Sequence, residues 1–117
     1  MDISVKLNGN VLIAKLSGEL DISTVPVFRE KIVQVLEEKK LTYLILNLAK
    51  VTFIDSSGLG VILGRYRYLE KIGGKVLLVD IKPQVKRIFT MAGMLKIMKE
   101  YDSEKEAIEE IQDGRIA

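Results

Sequence analysis

The sequence has 117 residues, 48% of them hydrophobic and 29% charged, with a formal net charge of +2. That is the length of one domain with enough apolar material to fill a core, and a balance too close to neutral for binding driven by bulk charge. Histidine and cysteine are both absent, which excludes disulfides, thiol catalysis, zinc–thiolate sites and any catalytic triad built on a histidine base.

Residues 2–7 alternate, with Ile3, Val5 and Leu7 on one face, and the Asn8-Gly9 pair that follows is a hairpin signal. Residues 11–17 read as the returning strand, ended by Gly18-Glu19-Leu20-Asp21. Ser23 or Thr24 is placed to cap the first helix, with Pro26 in its first turn and Phe28, Ile32, Val35 and Leu36 as its apolar stripe. The run from Tyr43 to Leu48 is apolar on both parities except at Asn47, the pattern of a strand covered on both faces.

Asp55-Ser56-Ser57 caps a second helix carrying Leu59, Ile62, Leu63, Tyr66 and Leu69, and Gly73-Gly74 stops it. Lys75 to Val79 is the next strand. Pro83 opens a third helix with Val85, Ile88 and Phe89, ended by Gly93, and residues 95–98 are expected to form a short edge strand. Ser103 and Glu106 form a capping box for a last helix whose inward side is Ala107, Ile108 and Ile111. Alternating strands and helices imply an α/β domain over residues 1–117, with a mostly parallel sheet of four or five strands, an N-terminal antiparallel hairpin and about four helices.

The apolar runs fall far short of the roughly 20 residues a membrane span needs. The alternating N-terminus lacks the basic and apolar regions of a secretory leader, so a cytoplasmic protein is expected. Basic residues thicken at Arg65, Arg67, Lys71, Lys75, Lys82, Lys86 and Arg87, with acidic residues gathered after Ser103. Few aromatics stand among the basic positions, so they read as solvated helix faces and no nucleic-acid partner is expected.

The segment with most chemical content is Asp55-Ser56-Ser57-Gly58-Leu59-Gly60, which leaves a buried strand and enters a helix. Aspartate and serine cap helices and glycine permits tight turns, which alone explains part of it. The density of small residues through Gly64 also leaves the helix start nearly bare, suited to an anion or a close-docking partner. The stretch lacks the Gly-x-Ser-x-Gly of a nucleophile elbow, the spacing of a dinucleotide fingerprint and the Gly-Lys-Ser/Thr of a phosphate-binding loop. Asp21 and Asp55 are too few for a metal site. No catalytic residue, cofactor or metal is expected.

Three stretches, Gly18-Glu19-Leu20-Asp21, Asp55 to Tyr66 with Gly73-Gly74, and Pro83-Gln84-Val85-Lys86-Arg87-Ile88-Phe89, resemble the STAS-domain family, which includes the anti-sigma factor antagonists. The resemblance runs through nearly the whole chain and is strongest to the sporulation branch, with the general stress branch and ligand-binding STAS modules as alternatives. It implies a regulator that is a monomer when free. The unmodified form docks on an anti-sigma factor that is also a serine kinase, and a serine phosphatase reverses the modification, ATP being used by the kinase. The residues alone leave Ser56 and Ser57 both open. The family's phosphorylated serine follows the aspartate directly and so maps to Ser56, with Ser57 expected to turn toward its own helix backbone. Asp21, Asp55, Ser56, Ser57, Gly58, Leu59 and Gly60 are the implied partner-binding residues. Leu59 is either a docking residue or core, and Arg65 and Arg67 either meet an acidic partner or stay solvated.

Overall fold

The chain reverses at Gly9-Asn10, one residue past the expected Asn8-Gly9 pair, so that β1 (Asp2–Asn8) pairs antiparallel with β2 (Val11–Leu20) from Asp2↔Ser17 to Asn8↔Val11. A computed structural model describes residues 1–114, and residues 115–117 of the expected domain lie outside the described residues. From β2 onward the pairing is parallel, through β3 (Tyr43–Ile54), β4 (Lys75–Val79) and β5 (Glu100–Tyr101), in the sheet order β1-β2-β3-β4-β5. Helices fill the crossovers. The first is α1 (Val25–Phe28) running through a π turn (Arg29–Val33) into α2 (Gln34–Glu38). Then come α3 (Ser56–Lys71) and α4 (Pro83–Met91), and α5 (Glu104–Gln112) follows β5. This is the expected α/β architecture.

The two parities of β3 serve two cores. Leu44, Leu46 and Leu48 join Leu12, Ala14 and Leu16 beneath Phe28, Ile32, Leu36, Ile62, Leu69, Val85 and Phe89. Ile45 faces the other way, with Val11, Ile13, Leu77 and Val79, under Ala107, Ile108 and Ile111 of α5. Asn47 interrupts the apolar run for a reason. Its Nδ2 donates to Glu104 Oε2 at 2.8 Å, fixing the first residue of α5 to the middle of the sheet. Lys6 and Lys15 approach the same carboxylate at 3.6 and 3.9 Å, but both lysines are exposed and add little. Ser103 Oγ accepts from the Glu106 N–H at 3.1 Å, which is one of the two bonds of the expected capping box.

Three expectations need correction. Strands β2 and β3 run on to Leu20 and Ile54, past residue 17 and Leu48, because the register slips between Lys15 and Ser17 and again between Gly18 and Glu19. Such bulges keep the strands paired while breaking the period-2 pattern from which a strand is read. Residues 95–98 are not a strand. A 3-10 turn (Met94–Lys96) precedes β5, with the Met98 N–H donating to Met94 O at 2.9 Å and both methionines buried at helical spacing. Of the face Ile3, Val5 and Leu7, only Ile3 is buried, since β1 is the outermost strand.

Where α3 ends, the backbone itself is packed. A Cβ on Gly74 would lie 1.6 Å from the Thr42 carbonyl oxygen, while one on Gly64 would meet nothing within 4 Å. Replacing Gly74 by alanine is therefore expected to destabilise the fold by at least about 1–3 kcal/mol. Gly64→Ala is expected to stabilise it by about 0.5–1 kcal/mol by removing a glycine from a helix interior. Urea unfolding of the two variants beside the parent chain measures both signs.

Candidate functional site

Strands β2 and β3 end side by side at Leu20 and Ile54, and each continues into a helix start. Two helix N-termini thus emerge together at the carboxyl ends of adjacent parallel strands, where open α/β sheets place their sites. Asp55 joins them. Its N–H donates to Leu20 O at 3.3 Å, its Oδ1 accepts from the Gly58 N–H at 3.0 Å as the cap of α3, and its Oδ2 accepts from the Ile22 N–H at 3.2 Å. One carboxylate therefore starts α3 and pins the loop leading to α1.

That loop is ordered by a second carboxylate. Asp21 Oδ1 accepts from the Ser23 hydroxyl at 2.7 Å and from the Ser23 and Thr24 N–H groups at 3.0 and 3.2 Å. The Ser23 hydroxyl is the main reason its carboxyl is held below the ordinary value of 3.8. The expectation that Ser23 or Thr24 caps α1 is corrected accordingly. Thr24 occupies the cap position without a side-chain cap bond, and its Oγ1 donates instead to Glu19 O at 2.8 Å.

Ser56, the first residue of α3, is exposed and its hydroxyl makes no hydrogen bond among the described residues. Ser57 is half-buried, and it makes no bond to its helix backbone either, contrary to expectation. Cover, not hydrogen bonding, separates the two serines. Gly58 is buried: a Cβ there would lie 2.4 Å from Leu20 O and 2.8 Å from Ile54 Cγ1, so its place is to let α3 start against the end of β2, and it is withdrawn from the surface. Leu59 is half-buried and packs on the main core, the second of its two expected roles. Gly60 is exposed with open space around it.

The presented rim is therefore Asp21, Ile22, Asp55, Ser56 and Gly60, with Gly58 and Leu59 beneath it. Ile22, which is 75% exposed, was not legible in the sequence, because a lone isoleucine between polar turn residues carries no periodicity. Arg65 is not a partner-facing cation. Its guanidinium is largely buried, 3.8 Å from Glu37 across α2 and α3, whereas Arg67 is exposed. Among the described residues no three potential metal-ligating side chains gather, and no helix is long and apolar enough to cross a membrane.

The STAS domain profile matches residues 2–107, and the chain belongs to the STAS-domain family. Its relatives within the family include anti-sigma factor antagonists. It is 38% identical to the anti-sigma F factor antagonist of Paenibacillus polymyxa over 112 residues, covering 96% of each chain. It is 33% identical to the anti-sigma-B factor antagonist of Bacillus subtilis over 98 residues, covering 84% of this chain and 88% of that one. The fold matches the solved structure of the anti-sigma factor antagonist SpoIIAA in its unphosphorylated form with a TM-score of 0.84 at 31% identity, covering 96% of this chain and 97% of the other. The phosphorylated form of SpoIIAA matches with a TM-score of 0.75 at 31% identity, covering 94% of this chain and 99% of that one.

Removing the bridging carboxylate has a defined signature. Asp55→Ala is expected to lose about 0.5–2 kcal/mol of stability in urea unfolding. It should also speed amide hydrogen exchange at Ile22 and Gly58 together, since one side chain protects both. Asp21 is expected to titrate below 3.8 in a carboxyl NMR titration and to move up toward it in Ser23→Ala. Because the folded value is the lower one, the contribution of Asp21 to stability is complete above pH 3.8 and is lost as pH falls through the folded value.

Proposed function

We propose that this chain is an anti-sigma factor antagonist that works by partner switching in the cytoplasm. Unphosphorylated and monomeric, it docks through the rim at the start of α3 onto an anti-sigma factor that is also a serine kinase, and so frees a sigma factor. Phosphorylation of Ser56 ends the complex, and a serine phosphatase restores the active form. The carrying observation is Ser56 itself, an exposed hydroxyl with no hydrogen bond, held at a helix start by the Asp55 cap. The relatives support the class, and SpoIIAA is known in both an unphosphorylated and a phosphorylated form. We assign the sporulation sigma F pathway on the match to the Paenibacillus polymyxa protein along nearly all of both chains. The Bacillus subtilis relative favours a second reading, a general stress sigma factor.

The physics favours a change at the contact over a change in the fold. A phosphoserine adds a charge of about −1.5 to −2. Near a helix N-terminus such a charge is favourable by about 0.3–1 kcal/mol, so α3 keeps its start. The new phosphate faces the nucleotide that donated it. Two like unit charges 4 Å apart repel by about 4 kcal/mol at an effective dielectric of 20, and about a third of that weakens binding tenfold. In this reading the chain supplies a substrate hydroxyl, and the kinase supplies the ATP and the chemistry.

Incubation with the anti-sigma factor of the same organism and ATP, followed by peptide mapping, is expected to find phosphate on Ser56. Phosphate on Ser57 alone, or on neither serine, overturns the assignment. Ser56→Ala is expected to fold and bind. Ser56→Asp is expected to fold with a thermal midpoint no lower than the parent's but bind at least about tenfold more weakly. An unfolded Ser56→Asp would count against a contact switch.

A further inference from the structure

We propose that Ile22 is an apolar anchor of the docking surface, seated in an apolar recess of the anti-sigma factor that is bordered by cationic side chains. The inference rests on reading the chain as an anti-sigma factor antagonist, and it names a contact that this reading does not. Ile22 leaves 75% of its surface in water, so the fold gains little from its side chain. Its backbone is nevertheless held in place. Its N–H is bound by Asp55 Oδ2, and the residues on either side are tied by the Asp21 carboxylate and by the Thr24 and Val25 N–H groups donating to Asp21 O at 3.1 and 2.9 Å. An apolar group presented on an ordered loop enters a contact without the cost of ordering the loop.

Two observations say what covers it. The first is continuity with the phosphorylation site: Asp55 precedes Ser56 in the chain and holds Ile22 by hydrogen bond, so a partner that brings a nucleotide to Ser56 lies beside Ile22. The second is charge. Asp21 and Asp55 hold the loop with their carboxylates, and neither forms an ion pair among the described residues. Two unneutralised carboxylates beside an apolar tip fit a recess with lysine or arginine at its border. Burying an isoleucine fully changes affinity on the order of 10- to 100-fold.

Calorimetric titration of the purified anti-sigma factor from the same organism tests this, with the parent chain, Ile22→Ala, Ile22→Asp, Ser56→Asp and Ile72→Ala. Ile72 is a control, 45% exposed just past the far end of α3, which is about 24 Å long. Ile22→Ala is expected to weaken binding at least about tenfold, and Ile22→Asp more, with thermal midpoints unchanged and Ile72→Ala binding like the parent. If Ile22→Ala binds like the parent while Ser56→Asp does not, the anchor is overturned and the antagonist reading stands. A parent chain that does not bind overturns both. Weaker binding by Ile22→Ala accompanied by a lowered midpoint assigns the residue to the fold and overturns the anchor.

Discussion

A single carboxylate holds the functional end of this domain together. Asp55 satisfies a free N–H at the start of α3 with one oxygen and reaches across to the Ile22 N–H with the other. The first N–H groups of a helix have no partner within it, and the carboxylate's charge suits a helix N-terminus. The contact closes only because Gly58 lets the helix start press against the Leu20 carbonyl, where any side chain would collide. Glycine and aspartate in this motif are thus two halves of one requirement: one brings the two segments together, the other joins them.

The sheet beneath explains why that joint is stable. Strand β3 is central, apolar on both sides and the longest strand, and it carries its chain beyond the end of β4 directly into Asp55. Strand β2 runs beside it to the same level through two register slips. The rim therefore stands on paired strands and not on a free loop, and helices on one face and α5 on the other fix those strands from both sides.

Much of this was legible in the sequence because it is written locally. Asn8-Gly9 signals its hairpin, Tyr43 to Leu48 its two-sided burial, and Asp55 and Ser103 their caps, each through chemistry within a few residues. The features that escaped are those that depend on partners distant in the chain. The bulges in β3 exist only in register with β2. The duty of Asn47 appears only when Glu104 is brought to it from 57 residues away. The hold of Asp55 on the Ile22 N–H likewise joins residues 33 apart in the chain. Recognising the family supplied Ser56 over Ser57, and the structure adds a physical distinction in the cover of the two side chains.

The ordered loop at Asp21–Thr24 also bears on timing. A surface that needs no folding to dock associates at an ordinary protein–protein rate, about 10⁵–10⁷ per molar per second, and differences in affinity then lie mainly in how long a complex lasts. In the proposed cycle the phosphate is made while the two proteins are still in contact, so it acts on departure before it acts on arrival. The chain would then behave as a timer whose dwell on its partner is cut short by the reaction it undergoes there.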